Sequence, residues 1–269
     1  MLNGEETTIG FFGGSITVGE TAQLKDEHNH AKGYAYYTYQ WLKRNYDVQN
    51  KSRFVNASIC GTGSEIGIVR AQKDLLDYNP DIVFIEFAGN NGTSNYHKTS
   101  YESLIRKCQA LPSDPAIVLV YCVTYYTGLA TGSTETYMSE IGEYYGLPMY
   151  SIHRGLATVV DHFDKDRTDP IFALYSSDGT HPTDEGHQLM SKALCYFLRN
   201  QISRSTDEKN TYKVAPSTSH YDKFEGLVTV DNESNNEVIT SLGSFVATNT
   251  ATPSTRDQSD VTAFHHGWK

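Results

Sequence analysis

Residues 7–17 read Thr-Thr-Ile-Gly-Phe-Phe-Gly-Gly-Ser-Ile-Thr, an apolar and aromatic run that breaks into a glycine pair. A buried strand ending in a tight turn accounts for that pattern, because glycine tolerates backbone angles that a side chain would forbid. The same kind of junction recurs twice. Residues 53–57 form a short strand pattern that runs into Ser-Ile-Cys-Gly-Thr-Gly-Ser at 58–64, and residues 81–87 run into Ala-Gly-Asn-Asn-Gly at 88–92. The stretch at 81–87 is nearly continuous in apolar residues, as a parallel strand covered on both faces should be. Further strands are expected at 116–123 and 149–152. Between them lie segments of helical spacing. Tyr34, Tyr37 and Trp41 mark one through Tyr46, and Ile68, Val69, Leu75 and Leu76 mark another that stops at Asn79-Pro80. Helices are also expected at 101–110, at 134–145 closed by Gly146, and at 183–199, where Met190, Ala193, Leu194, Phe197 and Leu198 form the inward stripe. Residues 153–177 read as loop with a helix at 156–162. Strands alternating with helices define a doubly wound α/β sheet of about five parallel strands.

The chain has 269 residues, enough for one such domain and an appendage. Residues 1–200 carry the α/β pattern. Residues 201–269 turn rich in Ser, Thr, Asn and Asp, with β-like patches at 227–230, 237–239 and 244–247. They read either as a linker with part of a small β module or as a tail. The net charge of −10 argues against nucleic acid and anionic membrane as partners, since both need a basic face, and favours a neutral or weakly charged substrate. No apolar stretch reaches the span of a bilayer, and residues 1–6 lack the basic and apolar regions of a secretory signal. The expectation is a cytoplasmic chain, or a secreted one if a leader has been removed. Association into a homo-oligomer stays open. Cys60, Cys108, Cys122 and Cys195 are too widely spaced for a zinc site or a disulfide frame, and three of them fall in segments read as core. The 19 tyrosines, crowded at Tyr34, Tyr36, Tyr37, Tyr39 and Tyr46 and again at Tyr121, Tyr125 and Tyr126, divide between core packing and a sugar-stacking surface.

In an open α/β sheet, ligands and chemistry sit at the carboxyl ends of the strands. Ser15 lies at such an end and is a candidate nucleophile, although a glycine–serine pair also serves simply to turn a chain or cap a helix. A phosphate cradle would need a dinucleotide fingerprint or a Gly-Lys-Ser/Thr ending, and neither is present. Gly61 and Asn90 occupy the other two junctions, and Asp178 and His181 precede the last helix. Together these are the parts of acyl transfer: a hydroxyl to attack, an imidazole to take its proton, a carboxylate to hold the imidazole, and donors for an oxyanion. Asp178 is equally a candidate cap for the last helix. His181, Asp184 and His187 invite a metal reading, but Asp184 and His187 fall in the first helical turns, where an acid beside the dipole needs no metal, and no further ligand cluster is evident. No metal or cofactor is expected.

These residues resemble the motif blocks of the SGNH (GDSL-type) hydrolases: Gly13-Gly14-Ser15-Ile16-Thr17, Gly61, Ala88-Gly89-Asn90-Asn91 and Asp178-Gly179-Thr180-His181-Pro182, in the family's order over about residues 7–200. The resemblance implies a flavodoxin-like three-layer sandwich. It implies Ser15 as nucleophile, His181 as base and Asp178 as its partner, with the N–H groups of Ser15 and Gly61 and the Asn90 side chain as the oxyanion hole. Two departures stand out. The first block is a Gly-Gly-Ser-Ile-Thr variant of Gly-Asp-Ser-Leu, and Asn91 replaces the usual aspartate, which is expected to loosen the loop that positions Asn90. The function implied is a serine esterase acting on short acyl esters, O-acetyl groups on carbohydrate in particular. The rival expectations are a lysophospholipase, thioesterase or peptidase on the same scaffold, and a carbohydrate-binding protein without chemistry.

Overall fold

The computed structural model describes residues 1, 3–122, 134–152, 154, 170–204, 248–249 and 267–268. Five strands pair in parallel in the order β2-β1-β3-β4-β5: β1 (Thr7–Gly13), β2 (Ser52–Asn56), β3 (Ile82–Glu86), β4 (Ala116–Tyr121) and β5 (Met149–Ser151). The order reverses direction at β1, so the crevice outside the carboxyl ends of β1 and β3 is the topological switch point where such sheets bind ligands. The helices are α1 (Ser15–Val18), α2 (Tyr34–Tyr46), α3 (Ser64–Asp74), α4 (Asn95–Gln109), α5 (Thr134–Tyr145), α6 (Pro170–Tyr175) and α7 (Asp184–Arg204). Strands β6 (Thr248–Asn249) and β7 (Gly267–Trp268) form a separate antiparallel pair.

Side chains alternate across a strand, so a sheet covered on both faces needs apolar residues at every position. Phe12, Val83, Ile85, Ile117 and Leu119 face α3, α4 and α5, where Ile68, Leu104, Ile105, Met138 and Ile141 complete one core. Ile9, Phe11, Phe84, Val118 and Val120 face α2 and α7, meeting Tyr34, Leu42, Met190 and Leu194 in the second. The Phe11 and Phe84 rings stack across neighbouring strands, 4.5 Å between centroids and 7° from parallel. These two cores are the layers of the expected three-layer sandwich. Among the described residues, no helix is long and apolar enough to cross a membrane.

Several boundaries differ from the expectation. Helix α4 starts at Asn95, six residues before Tyr101, because its first turn is polar and the apolar stripe begins only at Tyr101. Helix α7 continues past Arg199 to Arg204 through residues with no inward stripe. Helix α6 falls where the sequence pattern predicts loop, although Pro170 at its first position is a recognisable helix start. Strand β4 ends at Tyr121, and the expected helix at 156–162 and the β-like patches of 227–247 lie outside the described residues. Cys108, Cys122 and Cys195 are free and buried. Tyr34, Tyr39 and Tyr121 belong to the core, while Tyr36, Tyr37 and Tyr46 are half-buried.

The first turns of α2 and α7 are bolted together by His187. Its Nδ1 accepts the Tyr34 N–H at 3.3 Å, and its Nε2 lies 3.3 Å from the Glu20 carbonyl, so the neutral imidazole satisfies both. Burial pushes this imidazole down from 6.5 to about 4. The unfolded chain therefore takes up the proton first. The stabilisation is fully present above about pH 6.5 and is lost as the pH falls towards 4, a span worth roughly 3 kcal/mol. Urea midpoints measured between pH 7.5 and 4.5 should fall steeply for the native chain and more shallowly for His187→Gln, which cannot titrate.

Candidate active site

In the parallel register, Phe11 of β1 pairs with Asn56 of β2, and Gly13 pairs with Glu86 of β3. The three glycine-bearing junctions therefore leave the sheet side by side. Ser15 opens the single turn of α1 and is 7% exposed. The glycines before it are there for space, which corrects the expectation of unusual backbone angles. Gly14 has φ −92°, an ordinary value. A Cβ on Gly13 would lie 2.5 Å from the Glu86 carbonyl oxygen, and one on Gly14 would collide with the Asn90 carboxamide. The Thr62 carbonyl comes within 3.4 Å of the same Gly14 position, so the loops after β2 and β3 both abut the residue before Ser15.

Gly61 is different, because its φ of +69° does lie in the left-handed region and a Cβ there would meet nothing within 4 Å. Glycine is needed at this position for backbone conformation. The loop that carries it is tied to β1 by the Ile59 N–H on the Gly13 carbonyl (3.1 Å). It is tied to the core by the buried Arg70, whose Nη1 donates to the Ala57 carbonyl at 2.5 Å and to Asp74 at 3.1 Å.

From the far end of the domain, His181 brings its Nε2 within 2.9 Å of Ser15 Oγ. Its Nδ1 lies 2.8 Å from Asp178 Oδ2. With the Nδ1 proton directed at Asp178, Nε2 is left to accept from the serine hydroxyl. Asp178 Oδ1 accepts the N–H groups of Thr180 (2.8 Å) and His181 (2.7 Å). Burial raises the Asp178 pKa, but the His181 ring and these backbone donors outweigh it and hold the carboxyl at about 2. The turn is fastened by the buried Ser176, whose hydroxyl accepts the Gly179 N–H at 3.0 Å and donates to the His181 carbonyl at 2.8 Å. Thr21 and Gln23 brace it from the other side, through Thr21 Oγ1 on the Pro182 carbonyl (2.6 Å) and Gln23 N–H on Asp184 Oδ1 (3.0 Å). Asp184 and His187, two of the residues weighed as metal ligands, thus have backbone partners. Among the described residues no three His, Cys, Asp or Glu side chains are grouped to hold a metal.

Asn91 was expected to loosen its loop, but the structure shows the reverse. Its Oδ1 accepts the Ser64 N–H at 2.8 Å, and its Nδ2 donates to Ser64 Oγ at 2.7 Å and to the Tyr137 hydroxyl at 3.0 Å. One carboxamide therefore joins the loop after β3 to the first residue of α3 and to α5. The sequence reading also missed Thr17, Tyr34 and Glu86, a buried polar group beneath the Ser15 turn. A carboxylate inside an otherwise apolar strand was the available signal.

The model of the GDSL-like lipase/acylhydrolase family matches residues 11–189, and the chain belongs to that family. Among solved structures it resembles a two-domain esterase active on acetylated mannans, with a TM-score of 0.74 and 31% identity over 97% of this chain and 64% of that one. The same kind of esterase co-crystallized with mannopentaose gives a TM-score of 0.72 at 28% identity, over 99% of this chain and 65% of that one. An acetylxylan esterase from Geobacillus stearothermophilus shares the fold with a TM-score of 0.59 at 18% identity, over 74% of this chain and 96% of that one. The chain thus spans 64–65% of the length of the mannan-active esterase. A search of curated proteins gave no match.

Replacing Asn91 by Ala removes partners from buried donors and should lower stability by about 1–3 kcal/mol. Asn91→Asp should stay within about 1 kcal/mol, because the Ser64 and Tyr137 hydroxyls can turn to donate. Chemical denaturation of the two variants beside the native chain measures both.

Proposed function

We propose that the chain is a serine esterase that removes short acyl groups, O-acetyl above all, from carbohydrate through an acyl-enzyme. The observation that carries this reading is the unbroken line from Ser15 Oγ through His181 to Asp178, with 2.9 Å and 2.8 Å contacts. In it, Ser15 Oγ attacks the ester carbonyl carbon as its proton passes to His181 Nε2. Asp178, ionised throughout because its carboxyl sits at about 2, balances the imidazolium. The oxyanion is received by the N–H groups of Ser15 and Gly61 and by the Asn90 carboxamide, each donor worth about 3–4 kcal/mol in the transition state. His181 then protonates the departing sugar oxygen, and the C–O bond to it breaks. Water, deprotonated by the same imidazole, releases the acid and restores Ser15.

The acetyl and carbohydrate parts of the proposal are supported by the esterases active on acetylated mannans and acetylxylan that the chain resembles, and by a net charge of −10 that suits a neutral substrate. In the acetylxylan esterase, catalytic mutants stand at an aspartate and a histidine three residues apart, the spacing of Asp178 and His181. The same reading assigns residues 1–200 to the hydrolase unit and 201–269 to a linker and part of a small β module. In support, the family match ends at 189 while the likeness to a two-domain esterase runs over 97% of the chain.

Hydrolysis of p-nitrophenyl acetate should fall on the order of 10³-fold or more in kcat for Ser15→Ala and for His181→Ala. Rates equal to the native chain would remove the nucleophile and base assignments. Across C2, C4 and C8 esters the maximum is expected at C2, and a maximum at C8 would point to the lysophospholipase-type reading. Acetate release from acetylated mannan and acetylxylan measures the carbohydrate preference directly.

A further inference from the structure

Directly beneath the Ser15 turn lies a carboxyl group that the mechanism above does not use. Glu86 is the last residue of β3 and is 1% exposed. It sits opposite Gly13 in the sheet register, between the strand that leads to Ser15 and the loop that leads to Asn90. Thr17 Oγ1 donates to its Oε2 at 2.9 Å, and the same Thr17 oxygen lies 2.8 Å from the buried Tyr34 hydroxyl. The backbone N–H dipoles of Gly14, Ala88 and Gly89 also favour its ionised form, while among the described residues its Oε1 has no hydrogen-bond partner. The donors thus come from both sides: Gly14 and Thr17 flank Ser15, whereas Ala88 and Gly89 immediately precede Asn90.

We propose that Glu86 is a positioning residue for acyl transfer, and that its ionised carboxylate gathers the Ser15 turn and the Asn90 loop onto one anion and so fixes nucleophile and oxyanion donor relative to each other. The proposal rests on the esterase reading of Ser15 and His181. A carboxylate can accept along both oxygens, whereas a carboxylic acid must use one of them as a donor. Protonation therefore removes the charge that the dipoles of both loops face and weakens the hold on Thr17 Oγ1. The titratable groups facing Glu86 among the described residues are Tyr34 on α2, Tyr101 on α4, Tyr175 on α6 and Cys122 after β4, all held protonated by burial. None is cationic, so the anion depends on N–H and O–H dipoles. Burial, opposed by those donors, lifts the Glu86 carboxyl from 4.5 to about 7. The carboxylate thus forms as the pH rises through neutrality.

The test is the pH profile of p-nitrophenyl acetate hydrolysis by the native chain, Glu86→Gln, Glu86→Asp and Ser15→Ala, with folding checked by circular dichroism. The Glu86 proton should make the acid limb of log kcat/KM steeper in the native chain than in Glu86→Gln. Glu86→Gln should show the shallower limb, a kcat at pH 8 lower by about 10²-fold and a KM within about twofold, the signature of a misplaced reacting group. Glu86→Asp keeps the charge and should retain the steep limb. If Glu86→Gln does not fold, Thr17→Val serves instead: it removes one donor from the anion and should move the acid limb to higher pH. Native kcat and slope in Glu86→Gln, or an unmoved limb in Thr17→Val, would overturn the proposal. Full activity in Ser15→Ala would instead overturn the esterase reading on which it rests.

Discussion

The arrangement of the site depends on one register, in which β1 and β3 run parallel with Gly13 beside Glu86. Because both strands end at the same level, the turn into Ser15 and the loop through Asn90 leave the sheet as neighbours. Only a residue without a side chain fits between them. Gly13 and Gly14 are therefore consequences of the sheet, set by the Glu86 carbonyl and the Asn90 carboxamide. Pairing of Phe11 with Asn56 brings the loop of Gly61 to the same place from the other side.

His181 arrives from a different construction. Asp178 and His181 stand on a turn between α6 and α7, closed by the Ser176–Pro182 bridge and rooted in a 21-residue helix. The bolt at His187 and the braces from Thr21 and Gln23 join that turn to the segment following α1. Two histidines six positions apart thus have opposite uses. His187 is buried and kept neutral as a structural joint, while His181 is partly exposed and faces Ser15.

Much of this was legible in the sequence because parallel strands covered on both faces are rich in apolar residues and the first three here run into glycine-bearing junctions. Five strands and the helices between them followed from that pattern, while the grouping of Ser15 with Asp178 and His181 came from their chemistry and from the resemblance of their motifs to a known family. The reasons behind some residues were not legible. Gly61 answers to backbone conformation but Gly13 and Gly14 to contacts with residues far along the chain, a distinction that needs coordinates. Asn91, read as a weakness, is a three-way tie because Ser64 and Tyr137 happen to meet it. The start of α4 at Asn95 and the helix α6 escaped notice because polar or very short helices carry little periodicity.

Helix α1 has only four residues and stops at Gly19, whose φ of +88° reverses the chain at once. The Ser15 hydroxyl is thereby confined between two glycines, with no length of helix along which it could slide or tilt. Its location is inherited from the strand and is shared by any chain that keeps this exit. Among relatives built this way, divergence in the alcohol or acid accepted must therefore arise in the walls raised around a stationary oxygen atom.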